Sequence, residues 1–219
     1  MAVGRAPADR STEQHRCRQH DGERRAGQSS HDITVDSVTV TPAADNVPER
    51  HIRLGNVFNV RDLGGYPTTD GRSTKWRHLY RADGLNRLDD ADTSLLATQG
   101  LRTIVDLRTQ GEIDNWGAAP HEVLGAQWVH RPLIPELWAD DSSIDDLDPI
   151  DYLVSRYVEM LDHGRGVFAE IIELVADDHH VPLVFHCSAG KDRTGVTAAI
   201  LLGLAGVDHT AIAADYHLT

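Results

Sequence analysis

An α/β domain with a central, mostly parallel sheet flanked by helices is the fold class that the sequence predicts. Three observations carry it. Residues 103–107 (Thr-Ile-Val-Asp-Leu) and 181–186 (Val-Pro-Leu-Val-Phe-His) are short apolar runs with the length of buried strands. Stretches 150–163 and 166–176, between them, space their apolar residues as amphipathic helices do. Residues 194–204, directly after the second run, are apolar on nearly every side, as a buried helix is. Strands alternating with helices build βαβ units, whose sheet is parallel.

The elements follow in order. Residues 1–32 are rich in Arg, His, Ser, Gly, Gln and Asp, and no large apolar side chain follows Val3. Such a segment cannot bury enough surface to offset its ordering entropy and reads as a disordered extension. His15, Cys17 and His20 within it fit no zinc spacing. Ile33, Val35, Val38 and Val40 predict extended chain ending at Pro42, and residues 51–54 another short strand. Residues 59–66 (Asn-Val-Arg-Asp-Leu-Gly-Gly-Tyr) are turn-rich, and 76–81 read as extended. Asp92 is placed to cap a helix running to Gln99, with Gly100 as its stop. Residues 111–117 predict a short helix and 127–132 a strand. Residues 135–149, with Asp140, Asp141, Asp145, Asp146 and Asp148, predict a solvated loop. Gly164 separates the two amphipathic helices, and Asp208 can cap a last helix. His179, His180, Trp128 and Trp138 read as surface or packing residues.

Composition narrows the function. Hydrophobic residues make up 40% of the 219, enough for one domain with a sizeable core. The formal net charge of -13 argues against a nucleic-acid partner. No run approaches the ~18 apolar residues of a membrane helix. The N-terminus lacks the apolar stretch of a signal peptide. Two cysteines, Cys17 and Cys187, in dissimilar settings fit a reducing, cytoplasmic compartment better than a disulfide. The acidic balance also means that any anion site must be made locally positive.

One run meets that need: His186-Cys187-Ser188-Ala189-Gly190-Lys191-Asp192-Arg193-Thr194-Gly195, between the second strand and the buried helix. A short loop at a helix N-terminus aims backbone N–H groups outward as a nest for phosphate. The phosphate-binding set is therefore Ser188, Ala189, Gly190, Lys191, Asp192 and Arg193. Gly190 lets the loop curl. Arg193, six residues after Cys187, can grip two phosphate oxygens. The helix N-terminus and neighbouring cations favour the thiolate of Cys187, which can attack phosphorus. His186 orients the loop and the thiolate, and the Thr194 hydroxyl can hydrogen-bond the sulfur and assist its departure. A buried structural cysteine would leave Gly190, Arg193, Thr194 and Gly195 unexplained.

Cys-x5-Arg resembles the signature of protein tyrosine phosphatases. The form with Lys191 and Asp192 resembles a bacterial subgroup of tyrosine/serine phosphatases with dual or triple specificity, some active on phosphoinositides. Residues 59–66, the Tyr80-Arg81-Ala82-Asp83 and Val105-Asp106-Leu107-Arg108 blocks, and Asp215-Tyr216-His217-Leu218-Thr219 look like the same subgroup. The resemblance spans about residue 51 to the end. It implies a tyrosine-phosphatase-like fold and a phosphocysteine intermediate, with no cofactor and no metal. Its partners would be phosphorylated proteins or phosphoinositides. Residues 33–219 are then the phosphatase domain, ending before the further helices that the subgroup usually carries. The leaving group needs a general acid. Many tyrosine phosphatases keep it on a separate mobile loop; here Asp192, inside the loop, and Asp106, at a strand end beside Arg108, are the candidates. Arg61 and Asp62 are expected to brace the floor of the site. Two other readings stay open: a phosphate-binding pseudophosphatase, and a sulfurtransferase, which Arg193-Thr194-Gly195 disfavours.

Overall fold

The computed structural model describes residues 49–135 and 148–219. Five short strands form one sheet: β1 (Arg61–Asp62), β2 (Leu79–Ala82), β3 (Thr103–Asp106), β4 (Gln127–His130) and β5 (Leu183–His186). Their order is β1-β2-β5-β3-β4, with β1 antiparallel to β2 and every other pair parallel. This is the expected class. All four residues of β3 and of β5 are buried, as happens when helices cover both faces of a parallel sheet.

Side chains alternate between two cores, following the period of two along a strand. Val105, Leu183 and Phe185 point to one face, against Met160, Phe168, Ile171, Val196, Leu201 and Leu202. Ile104 and Val184 point to the other, against Leu85, Leu96, Leu101 and Leu124. The first face is covered by α4 (Pro149–His163), α5 (Arg165–Ala176) and α6 (Asp192–Leu204), the second by α1 (Asp90–Ala97) and α3 (His121–Leu124). Ala82, His186 and Asp106 lie in register at the carboxyl ends of β2, β5 and β3. The loops that follow therefore meet in one place, where open α/β sheets bind ligands.

Several boundaries differ from expectation. Asp89, not Asp92, caps α1, accepting the Asp92 N–H at 2.8 Å. The Asp92 carboxylate instead receives the N–H groups of Gly55 and Asn56. Residues 51–54 contribute only a bridge between His51 and Arg61. Extended chain begins at Leu79, because Arg77 turns at φ 58. β4 stops at His130, before Pro132, which has no N–H for a ladder. The helix α2 (Gln110–Trp116) carries a capping box between Thr109 and Glu112, and the one-turn α3 was not anticipated. Asp148 and Asp208 cap α4 and α7 (His209–His217). Residues 1–48 and 136–147 lie outside the described residues, and with them the extension, the strand at 33–40, Cys17, Trp138 and most of the acidic run.

α7 packs on the first turn of α6 through Tyr216. A Cβ built on Gly195 would lie 2.6 Å from the Tyr216 ring, so only glycine lets the two helices approach this closely. Gly195→Ala is expected to cost about 1–3 kcal/mol in urea unfolding and to make α7 more sensitive to protease. An unchanged midpoint would contradict this packing.

Candidate active site

Residues 187–191 run from the end of β5 to the start of α6, which begins at Asp192, two residues earlier than the sequence suggests. The Cys187 side chain is buried, and its Sγ accepts the Gly190 N–H and the Thr194 hydroxyl, both at 3.2 Å. Both donors point at the sulfur, where they would stabilise negative charge. Ser188 is partly buried, and Ala189 and Lys191 are exposed.

Gly190 is the most constrained member of the loop. It sits at φ 67, and a Cβ there would lie 2.7 Å from the Ala82 carbonyl oxygen. Its own carbonyl accepts from Asn59 Nδ2 at 3.0 Å and from Arg81 Nη2 at 2.8 Å. Arg81 reaches on to Asp215 at 2.5 Å, and Arg61 meets the same carboxylate at 2.9 Å. Tyr66 donates its hydroxyl to Asp215 at 2.7 Å. Burial raises the Asp215 pKa, but the two arginines and Tyr66 more than offset this and hold it below the usual carboxylate range. The blocks 59–66, 80–83 and 215–219, far apart in sequence, thus converge behind Gly190. Arg61 braces the floor as expected. Asp62 does not: its oxygens hold the N–H groups of Gly64 and Arg77, fixing a turn away from the loop.

Arg193 and Glu112 form a buried bidentate pair, with Nη1 at 2.6 Å from Oε2 and Nη2 at 2.8 Å from Oε1. Ser188 also donates to Oε1, at 2.5 Å. The same carboxylate accepts the Thr109 N–H and so completes the capping box of α2. Burial pushes Glu112 up, but Arg193 and Ser188 pull it further down, to about 2 from an ordinary 4.5. Glu112 was missed in the sequence. Its signal was there, as the Thr-x-x-Glu pattern opening a helix.

Asp106 is fully buried, with one oxygen 2.9 Å from Arg108 Nε and the other 2.6 Å from Nη2. Burial raises its pKa, but the Arg108 guanidinium, bonded to both oxygens, outweighs this and lowers it. An ionised, enclosed carboxylate has no proton to give, so the geometry weighs against Asp106 as the acid. His186 is also fully buried, and its Nδ1 lies 3.2 Å from the Cys187 carbonyl. A carbonyl only accepts, so the ring carries its proton on Nδ1; burial, which lowers the His186 pKa, favours that neutral ring. Asp192 opens α6 partly exposed, and its Oδ1 accepts the Tyr157 hydroxyl at 2.5 Å.

A cleft of about 330 Å³ opens beside Ser188, lined by Gly84, Asn86, Arg87 and Trp116. Trp128 stacks between His121 and His130 on β4 and serves packing. His179 and His180 lie in the turn after α5. Among the described residues, no three His, Cys, Asp or Glu side chains gather as metal ligands, and no helix is long and apolar enough to cross a membrane.

Comparison with known proteins fits this geometry. A Cupriavidus necator protein that carries a tyrosine-protein phosphatase name is 33% identical over 190 residues, covering 82% of this chain and 67% of that protein. A tyrosine-protein phosphatase of Nostoc commune is 31% identical, covering 64% and 47%. The triple specificity protein phosphatase PtpB of Mycobacterium tuberculosis is 29% identical, covering 74% and 67%. Among solved structures, the catalytic core of the PP-IP phosphatase Siw14 from S. cerevisiae superposes with a TM-score of 0.42 at 16% identity, covering 72% of this chain and 73% of that one. Residues 52–219 match the family model described as the tyrosine phosphatase family. The chain belongs to the tyrosine phosphatase family.

Proposed function

We propose that the chain hydrolyses phosphomonoesters through a phosphocysteine formed on Cys187. The substrates would be phosphotyrosine and, in keeping with a triple-specificity relative, phosphoserine, phosphothreonine or phosphoinositides. The observation that carries this reading is the sulfur of Cys187, held by two donors at the mouth of a helix with Arg193 beside it. Residues 33–219 would be the phosphatase domain. A thiolate nucleophile works only while reduced, which supports a reducing, cytoplasmic setting.

The chemistry follows from the atoms. The helix dipole and the backbone N–H groups of residues 188–193, other than the Gly190 N–H held by Sγ, take the phosphate oxygens. Glu112 occupies the Nη1–Nη2 edge of Arg193, which leaves the Nε–Nη edge for two non-bridging oxygens. Sγ attacks phosphorus, the ester P–O bond breaks, and Asp192 gives its proton to the departing oxygen. Water then attacks the phosphocysteine and Asp192 takes a proton from it. The P–S bond breaks, and Sγ leaves as a thiolate stabilised by Thr194 and Gly190. In this scheme His186 holds the Cys187 carbonyl, Arg108 encloses Asp106, and none of the three touches substrate.

The test compares reduced wild type with Cys187→Ser on p-nitrophenyl phosphate in the presence of a chelator. Wild type is expected to turn over, and the serine variant to lose at least about a thousandfold in kcat. No turnover by wild type would favour a phosphate-binding module instead. Transfer from thiosulfate to cyanide would favour a sulfurtransferase.

Glu112 allows a second measurement. Its folded pKa lies below its unfolded one. The stability this contributes, on the order of 3 kcal/mol, is present above pH 4.5 and is lost as pH falls toward about 2. Glu112→Gln should flatten the fall in urea midpoint across that window. It should also lower kcat/KM by about ten- to a hundredfold by loosening the Arg193 clamp. Parallel pH profiles for the two proteins would rule out this role.

A further inference from the structure

We infer that Tyr157 is a positioning residue for Asp192, its hydroxyl fixing Oδ1 as an acceptor so that Oδ2 holds the proton for the leaving group. This rests on the reading of Asp192 as the general acid. Three elements supply the arrangement. Tyr157 lies on α4 and donates to Asp192 Oδ1 at 2.5 Å. Asp192 is the first residue of α6. Tyr216, on α7, is hydrogen-bonded to the Tyr157 hydroxyl and lies 3.4 Å from the same Oδ1.

Proton count separates the roles of the two carboxyl oxygens. A neutral carboxyl has one oxygen that carries hydrogen and one that only accepts. A phenol donating to Oδ1 forbids the proton there, so the acid's proton must sit on Oδ2. When Asp192 is ionised in the second step, the same donor holds the same oxygen, and Oδ2 remains the one that takes a proton from water. For this, Tyr157 must keep its own proton. Burial first, and then Asp192 and Tyr216, push its pKa well above the ordinary value of 10.0.

Both tyrosines are themselves held. Tyr157 packs against the core that contains Met160, one turn along α4. Tyr216 rests against Gly195, and its neighbour Asp215 is locked to Arg61 and Arg81. A free aspartate at an exposed helix start would sample several rotamers, and most would point its proton away from the phosphate. General acids contribute about 10²–10⁴-fold, and part of that depends on aim.

The experiment compares kcat/KM for phenyl phosphate, whose leaving group needs a proton, with that for p-nitrophenyl phosphate, whose leaving group needs little. Tyr157→Phe removes one oxygen and keeps the ring. It is expected to lower kcat/KM about tenfold on phenyl phosphate and less than about twofold on p-nitrophenyl phosphate, with inhibition by inorganic phosphate unchanged. In an Asp192→Asn background the same substitution should cause no further loss, since it would act only through that carboxyl. Tyr216→Phe should cause a smaller loss in the same direction, and it carries the test if Tyr157→Phe does not fold. Equal losses on both substrates, or a loss that persists in the Asp192→Asn background, would overturn the assignment. If Asp192→Asn penalises phenyl phosphate and Tyr157→Phe does not, the tyrosine role alone is lost. If Asp192→Asn leaves the ratio of the two substrates unchanged, the acid reading falls and the tyrosine role falls with it.

Discussion

The phosphate loop depends on a buried carboxylate. Asp215 lies between Arg61 and Arg81, all three at 3% exposure or less, and the second donor edge of Arg81 holds the Gly190 carbonyl. Burial and the neighbouring Arg61 charge both work against the Arg81 guanidinium, and Asp215 works for it. Two arginines face one aspartate, so the cluster keeps one uncompensated positive charge behind the loop. That charge sits where an acidic chain needs it, beneath the anion and the thiolate. Replacing a buried ion pair by packed apolar residues is often harmless to stability, whereas removing one partner costs about 3–5 kcal/mol. The cluster is therefore better understood as fixing geometry than as supplying stability.

The strands and the loop were legible because their signals are local. Apolar runs at 103–107 and 181–186, and ten consecutive residues from His186 to Gly195, need no knowledge of distant partners. Asp215 was not legible as a brace because Arg61 lies 154 residues away and Arg81 lies 134 away. Asp106 reads in sequence either as an acid or as the partner of an arginine, and only the fold shows Arg108 closing on both of its oxygens. The two are only two residues apart, but β3 ends at Asp106, and Arg108 folds back onto it from the loop beyond the strand. Asp92 misled for a different reason: the run Asp89-Asp90-Ala91-Asp92 offers three capping carboxylates, and only backbone geometry selects the first.

Glu112 illustrates how one carboxylate can serve two levels of structure. It closes the capping box that starts α2 and holds the arginine expected to clamp the phosphate. Helix start and ligand clamp therefore share a bond network, and tilting α2 would displace Arg193. Ser188 joins the same oxygen, so one end of the loop is tied to α2 while Gly190 is tied to β1 and β2 through Arg61, Arg81 and Asp215. The loop is suspended between two independent anchors on opposite sides of β5.

The start of α6 at Asp192 has a consequence for timing. On the proposed reading, nucleophile, clamp and acid lie within seven consecutive residues of one rigid strand-loop-helix joint. An acid carried on a separate mobile loop reaches the substrate only after that loop closes, and the closure adds a step of its own to each turnover. Here the proton donor is in place before the phosphate arrives. On that reading the supply of the proton adds no loop closure of its own to a turnover.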